Sequence, residues 1–370
     1  MMEYRNLGKL IWVLTLTITF LGLVTIYSAS THSTRVSQDV FYQQLICAAV
    51  GLTVMFLLSQ FDYRKFYDMA YGIYAGSLIC LGLVLTVGRD ILGAKRWLEI
   101  GFINFQPSEL AKVAIIIALG RYFCGQRPTH DFDVRTRREG LMKDLFIPLF
   151  MAVVPTLLVF KQPDLGTAIL LFGIFLTMLY VSDIEQKYFL RFVVVCLLAV
   201  PLMWHVLKPY QRDRLLVFLN PNIDPLGAGY TIIQSKIAVG SGMIFGKGWL
   251  AGEQNQLNFL PERHTDFIFA VIGEEWGLVG TIFLLACFYF LVMCCFQVAQ
   301  QTKDKFGMLV AMGMMAILTM QVIINIGMVL GVFPVVGIPL PLVSYGRSSY
   351  LMFAFILGFM LNLSKRRSVF

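Results

Sequence analysis

Residues 260–270 read Leu260-Pro261-Glu262-Arg263-His264-Thr265-Asp266-Phe267-Ile268-Phe269-Ala270, and within them a polar loop gives way to a strongly apolar run. Asp266 stands at this boundary, close in sequence to Arg263 and His264. An ionisable side chain at the centre of a membrane helix costs about 2.5–3.5 kcal/mol, so such residues are candidate functional groups. The alternative is an aspartate at a helix start, where it stabilises the positive end of the helix dipole.

The composition of the whole chain is that of a membrane protein. Of the 370 residues, 58% are hydrophobic and 14% are charged, against about 25% charged residues in soluble domains. Continuous apolar runs near the length of a bilayer crossing indicate helices rather than a barrel. We therefore predict an all-α integral membrane protein, with one domain over residues 1–370. About ten transmembrane helices are expected, near 10–28, 42–60, 66–87, 107–123, 145–161, 166–183, 189–207, 266–296, 307–331 and 340–363.

The formal charge of +8 is distributed as in a membrane protein and not as in a nucleic-acid-binding one. Lys and Arg of the short loops gather on one side of the predicted helices, and this side is normally cytoplasmic. We expect both termini and residues 121–145 to be cytoplasmic. The large loop at about 208–265, between the seventh and eighth helices, is then periplasmic.

Two parts of the large loop have patterns of their own. Residues 229–240 predict a short amphipathic helix lying on the membrane, with Ile232, Ile233 and Ile237 on its apolar side. The glycine-rich run 240–248 lacks both the first glycine and the hydroxyl residue of a nucleotide-binding phosphate loop. An anion-binding loop of backbone amides and a flexible turn both remain open for this run.

Further ionisable residues lie in the predicted spans. Glu109 and Lys112 are three residues apart and share one helix face, and Asp164 precedes another helix. These residues and Asp266 fall at a similar depth, in the outer half of the membrane. We predict that they line one polar cavity; a structural ion pair and a helix cap are the alternatives.

A carboxylate near cations at the outer surface of the membrane suits the transfer of a sugar from a lipid diphosphate. It can act as general base on a sugar hydroxyl that attacks a lipid-diphosphate sugar. Cationic side chains or a metal ion would stabilise the departing diphosphate, and displacement from the opposite face would invert the anomeric centre. The composition shows that this chemistry is feasible and does not select it.

Several motifs, in order along nearly the whole chain, resemble those of the SEDS family (shape, elongation, division and sporulation), in its RodA-like branch rather than its FtsW-like branch. The matching stretches are Lys95-Arg96-Trp97-Leu98, Phe105-Gln106-Pro107-Ser108-Glu109-Leu110-Ala111-Lys112, Gln162-Pro163-Asp164-Leu165-Gly166-Thr167, Asp224-Pro225-Leu226-Gly227-Ala228-Gly229-Tyr230, Gln234-Ser235-Lys236, residues 260–270, Asn325-Ile326-Gly327 and Gly337-Ile338-Pro339-Leu340-Pro341-Leu342-Val343-Ser344-Tyr345-Gly346.

The resemblance implies a bacterial inner-membrane peptidoglycan glycosyltransferase for lateral wall elongation and rod shape. It would polymerise lipid II, the undecaprenyl-diphosphate disaccharide-pentapeptide, into β-1,4 glycan strands. The family's proposed catalytic aspartate falls on Asp266, and its other site carboxylates and lysine fall on Glu109, Lys112 and Asp164. Five further polar residues complete the predicted substrate site: Arg212, Lys236, Arg263, His264 and Ser344.

The resemblance also implies partners, namely a class B penicillin-binding protein with transpeptidase activity and other membrane proteins of the elongation complex. No nucleic acid is expected. No cofactor is certain, although a divalent cation, Mg²⁺ or Mn²⁺, would suit the diphosphate. Two other functions stay open: a lipid II flippase, and a non-catalytic scaffold that activates a transpeptidase.

One position departs from the family pattern. Arg347 in Ser344-Tyr345-Gly346-Arg347-Ser348 stands where family members usually have glycine. If that glycine adopts a positive φ or close backbone packing, the arginine would be strained. The alternative is a further contact to a diphosphate.

Overall fold

The computed structural model describes residues 4–31, 35–91, 94–100, 103–125, 134–207, 209–225, 227 and 229–365. Both termini, and residues 126–133 of the predicted cytoplasmic loop, lie outside the described residues. The described α-helices are α1 (Tyr4–Thr31), α2 (Arg35–Leu58), α3 (Arg64–Val87), α4 (Pro107–Cys124), α5 (Val134–Lys161), α6 (Leu165–Val181), α7 (Gln186–Val206), α8 (Pro209–Leu219), α9 (Tyr230–Ser241), α10 (Glu253–Gln256), α11 (Ile268–Gln301), α12 (Lys305–Val329) and α13 (Arg347–Lys365).

The chain is a helical membrane protein, as its composition predicts. Among the described residues, six helices are long and apolar enough to cross a membrane by length and composition: α1, α2, α3, α11, α12 and α13. Shorter apolar helices run over Leu145–Lys161 and Leu165–Val181. The ten predicted spans each overlap a described long helix, with α4 and α7 accounting for the remaining two.

The start of the last predicted span is wrong. That span was expected at 340–363, but α13 begins at Arg347, and residues 331–346 form turns and irregular backbone. Pro339 and Pro341 lack the amide hydrogen that a helix interior needs. The same stretch therefore has the apolar composition of a span without the ability to continue as a helix.

Helix α4 lies at the centre of the bundle and is buried along nearly its whole length, against α3, α6 and α12. At 18 residues it is about 27 Å long, at 1.5 Å per residue. Its polar side chains therefore face other helices and not lipid.

Helix α11 is interrupted at Gly277, which has φ 64° and ψ −158°. The glycine-rich loop enters this interruption. The amides of Lys247 and Gly248 donate to the Glu274 and Glu275 carbonyls, both at 3.0 Å. In return, the Leu278 and Val279 amides donate to the carbonyls of Met243 and Ile244, at 2.9 and 3.1 Å. Four loop hydrogen bonds thus replace the missing helical ones, because backbone groups inside a membrane must be satisfied by protein. The amides of residues 247 and 248 are committed to this contact and not to an anion.

The predicted amphipathic helix exists as α9, and its contact with lipid stays a prediction. Its buried residues are Ile232, Ser235 and Ala238, spaced three apart as on one helix face. Ile237 is 45% exposed. The buried side is the one that packs against α11 and α12, where the Ser235 hydroxyl donates to the Val329 carbonyl at 2.8 Å.

Three short antiparallel strands lie between α3 and α4: β1 (Arg89–Ile91), β2 (Ala94–Ile100) and β3 (Ile103–Phe105). They form one small sheet in the order β1-β2-β3. This sheet contacts α3 and α4 through β2 and so brings Arg96 to the end of the bundle where α6 begins.

Candidate active site

Asp266 lies in the turn that precedes α11. Its amide donates to the Glu262 carbonyl at 3.1 Å, and the residue that caps α11 is Phe267. No described residue donates a hydrogen bond to the Asp266 carboxylate. The helix-cap alternative is therefore not the role that this geometry gives the side chain.

The charges around Asp266 set its acidity. Burial and, to a smaller extent, the nearby carboxylates of Glu262 and Asp164 raise the pKa of the Asp266 carboxyl, which comes to about 7. The guanidinium groups of Arg214 and Arg96 lower this pKa. These five residues, here termed the Asp266 cluster, combine a carboxyl group that titrates near neutral pH with two cations.

Asp164 and Arg96 meet at the start of α6. The Asp164 carboxylate accepts hydrogen bonds from the amide and the hydroxyl of Thr167, at 3.2 and 2.9 Å. Arg96 donates to the Gln162 carbonyl at 3.2 Å and to the Pro163 carbonyl. Asp164 is thus a helix cap in this structure and also acts on Asp266 electrostatically.

Glu109 and Lys112 form a buried ion pair inside the bundle. Lys112 Nζ lies 2.7 Å from Glu109 Oε1 and 3.3 Å from Gln321 Oε1 on α12. The two residues are 4% and 1% exposed. The structure buries this pair and does not place it on the wall of an open groove; its role in substrate binding stays a prediction.

Ser344 and Arg263 hold the 260–270 loop in place. The Ser344 hydroxyl donates to the Thr265 carbonyl at 2.5 Å and accepts from the Leu340 amide at 2.8 Å. Arg263 donates to the Ala29 carbonyl at 2.9 Å. The side chains of Ser344 and Arg263 are therefore occupied by protein partners.

His264 completes this arrangement. Its carbonyl accepts from the Tyr345 amide at 2.9 Å, and the two rings lie 5.9 Å apart. Burial lowers the pKa of the His264 imidazole; the Glu262 carboxylate raises it, and the Arg263 guanidinium lowers it further. The imidazole is therefore neutral near pH 7.

The large loop contributes a second arginine, Arg214, besides the predicted Arg212. Arg212 donates to the His205 carbonyl at 3.1 Å, at the end of α7. Arg214 donates to the Val335 carbonyl at 3.2 Å and acts on the Asp266 carboxyl. The predicted Lys236 packs its side chain over Gly331, where φ is +70°.

A metal site is not evident in the described part of the chain. No group of three or more His, Cys, Asp or Glu side chains there is arranged to hold a metal ion. A cavity of about 250 Å³ does occur, but it is lined by Leu145, Ile184, Tyr188, Arg191, Phe192 and Val195. This apolar cavity between α5 and α7 includes none of the predicted site residues.

Arg347 does not have the backbone conformation that would strain an arginine. It is the first residue of α13 and is not among the residues with positive φ. The positive-φ condition for strain is therefore not met, and the contact to a diphosphate stays a prediction.

Sequence reasoning missed Arg96 and Arg214 as neighbours of Asp266, and Gln321 and Asn325 as buried polar residues of α12. Arg96 and Asn325 belong to the stretches that match the family motifs, and this match was the only indication in the sequence that they could be near the site. Arg212 and Arg214 are two apart and point to different sides of α8, so spacing alone could not choose between them.

Comparison with known proteins shows the family to which these motifs belong. Residues 8–369 match the family described as cell cycle protein, FtsW/RodA/SpoVE. Peptidoglycan glycosyltransferase MrdB of Escherichia coli K12 is 41% identical over 347 residues, covering 93% of this chain and 91% of that protein.

Two solved structures share the fold. One, described as structural coordination of polymerization and crosslinking by a peptidoglycan synthase complex, has a TM-score of 0.80 and 32% identity and covers 96% of both chains. The other is the crystal structure of the rod shape-determining protein RodA of Thermus thermophilus, with a TM-score of 0.70 and 29% identity. It covers 97% of this chain and 96% of that one.

Proposed function

The chain belongs to the FtsW/RodA/SpoVE family, which is the SEDS family that its motifs resemble, and we propose that it polymerises lipid II into β-1,4 glycan strands. The observation that carries this proposal is the Asp266 carboxyl. It accepts no hydrogen bond from a described residue and has a pKa of about 7, and two guanidinium groups act on it to lower that pKa. Such a group is available to take a proton at neutral pH.

The reaction proceeds by one displacement. Asp266 takes the proton of the acceptor sugar's 4-hydroxyl while that oxygen attacks the anomeric carbon of the donor. The bond between this carbon and the diphosphate oxygen breaks, and the undecaprenyl diphosphate leaves with the electron pair. Attack from the face opposite the diphosphate inverts the anomeric centre.

Arg96 and Arg214 suit the departing diphosphate. Guanidinium groups present paired donors that match phosphate oxygens, and charge stabilisation of a leaving group is often a large catalytic term. A divalent cation at the diphosphate would supply further positive charge. The predicted substrate residues Glu109, Lys112, Asp164, Arg212, Lys236, Arg263, His264 and Ser344 complete the proposed surroundings of the two substrates.

The protein is a multi-pass membrane protein, and we place it in the bacterial inner membrane with both termini in the cytoplasm. The asymmetry of its basic short loops supports this orientation. The Asp266 cluster then faces the periplasm, where the wall is built. Cysteine labelling at residue 136 from outside intact cells, in a cysteine-free background, would contradict this placement.

The proposed partner is a class B penicillin-binding protein within an elongation complex. The similar solved structure described as a synthase complex that coordinates polymerization and crosslinking supports a crosslinking partner. A glycan strand formed beside a transpeptidase can be crosslinked as it emerges.

The test is polymerisation of lipid II by the purified chain, with and without its partner. Asp266→Asn keeps the side-chain shape and removes the base, so we expect the rate to fall by about 10²–10⁴. Folding and partner binding should be retained. A flippase would move lipid II without polymerising it, and a scaffold would tolerate Asp266→Asn. Near wild-type polymerisation by this variant would refute Asp266 as the base.

A further inference from the structure

Two amide side chains of α12, Gln321 and Asn325, are both 0% exposed and lie one helical turn apart. Gln321 donates to the Pro339 carbonyl at 3.2 Å. Asn325 donates to the Ile338 carbonyl at 2.7 Å. Successive turns of α12 thus hold successive carbonyls of the irregular segment 331–346.

Asn325 makes a second contact that Gln321 does not. Its amide group also donates to the main-chain carbonyl of Asp266, at 2.9 Å. One NH₂ group therefore ties the backbone of Asp266 to the backbone of Ile338.

This tie matters because the Asp266 carboxylate lies over the same segment. A Cβ on Gly337 would stand 3.5 Å from Asp266 Oδ2, so the carboxylate faces the side of Gly337 on which a side chain would project. Gly337 has φ +70°, a conformation that favours glycine. The Asn325 hydrogen bonds thus hold the Asp266 main chain beside the segment that its carboxylate faces.

We propose that Asn325 is a positioning residue for glycosyl transfer. Its amide fixes the Asp266 main chain against residues 337–338 and so sets the direction and the surroundings of the carboxylate. Misplacement of a reacting group by about 1 Å can cost about 10²-fold in rate. The inference rests on the proposed role of Asp266 as general base.

The chain offers a matched control in Asn362 of α13. Asn362 is 1% exposed, and its amide also donates to two backbone carbonyls, those of Leu58 at 2.9 Å and of Phe61. In both asparagines the side-chain oxygen is buried without a hydrogen-bond partner among the described residues. Asn362 and Arg347 are 15 residues apart on α13, which is about 22 Å at 1.5 Å per residue. Asn362 therefore lies toward the opposite end of α13 from Arg347.

The experiment compares Asn325→Ala with Asn362→Ala in the purified full-length protein. Both variants should lose similar thermal stability, since both lose the same two kinds of hydrogen bond. We expect only Asn325→Ala to lower the kcat of lipid II polymerisation, by about 10²-fold, with little change in KM. The acid limb of its pH–rate profile should also shift, because the carboxyl has moved relative to its neighbours.

Equal polymerisation rates in the two variants, or an unmoved pH profile in Asn325→Ala, would overturn the proposal. If Asn325→Ala does not fold, Asn325→Leu decides, because it fills the buried space and loses the NH₂ donor without adding a charge; it should show the same loss of kcat. Asp266→Asn is assayed in parallel. An active Asp266→Asn rejects the proposed base, whereas an inactive one beside an active Asn325→Ala rejects only the positioning role.

Discussion

Gly277 and Gly246 meet backbone to backbone where α11 is interrupted. A Cβ on Gly277 would overlap the Gly246 amide nitrogen and lie 2.6 Å from the Ile244 carbonyl oxygen. Both glycines have positive φ, 64° and 81°. The interruption, and the loop that fills it, therefore depend on the absence of side chains at both positions.

We expect Gly277→Ala to destabilise the protein by at least about 1–3 kcal/mol, the usual cost of one strained backbone conformation, with the overlap adding to it. Thermal unfolding of the detergent-solubilised protein measures this. Gly76→Ala in α3 is the control, because a Cβ there meets nothing within 4 Å and alanine favours a helix interior by about 1 kcal/mol. Equal stability of the two variants would show that the loop does not need the close contact.

The spans were predictable because a run of apolar residues long enough to cross a bilayer leaves the backbone few alternatives to a helix. The interruption of α11 was not, because Gly277 looks in sequence like the nearby Gly280, which lies within the same helix. Only the loop at Gly242–Gly248, distant in sequence, shows which glycine breaks the helix. The start of α13 was predicted too early because segment 331–346 is as apolar as a membrane-spanning helix. Its irregular backbone depends on the prolines and on contacts with residues distant in sequence.

Asp266 could be chosen from the sequence as a candidate site residue because a carboxylate next to an apolar run is costly. Its neighbours were only partly predictable. Arg96 reaches the site through the sheet between α3 and α4, and Arg214 through one side of α8, and neither placement follows from local spacing. Asn325 stood in a matching motif, but its partners are the backbone carbonyls of Asp266 and Ile338, and the sequence does not indicate which carbonyls a buried amide will reach.

The buried pair Glu109–Lys112 gives a prediction about stability. Lys112→Met leaves the Glu109 carboxylate buried without a cation, which typically costs about 3–5 kcal/mol. We expect the double variant Glu109→Gln/Lys112→Met to recover part of this loss. The control is the exposed pair Lys305–Asp183, also at 2.7 Å, where Lys305→Met should cost less than about 1 kcal/mol. Denaturation of all variants in one detergent makes the comparison, and equal losses would contradict it.

The acidity of Asp266 predicts how the rate depends on pH. Because its pKa is about 7, the carboxylate is mostly protonated below pH 7 and cannot accept the hydroxyl proton. The polymerisation rate should therefore rise between pH 6 and pH 8, and fall about tenfold for each further unit of acidity below the pKa. Lipid II polymerisation at saturating substrate measures this. A rate that is flat from pH 5 to pH 8 would argue against this carboxyl as the base.

Substitutions of Arg214 and Arg212 should differ in their effect on the dependence of the polymerisation rate on pH. Arg214 lowers the Asp266 pKa, so Arg214→Gln should raise the pKa and move the acid limb to higher pH. The shift should be smaller than that from a buried cation, because the Arg214 side chain is exposed and its charge is screened by solvent and salt.

Arg212→Gln is the matched control, since Arg212 lies on the same helix and contacts the end of α7. It should leave the acid limb in place, whatever its effect on the maximal rate. The difference between the two variants should also shrink at high salt, because screening weakens the action of an exposed charge over distance. If both variants moved the limb equally, the effect would come from the net charge of the large loop and not from the position of Arg214.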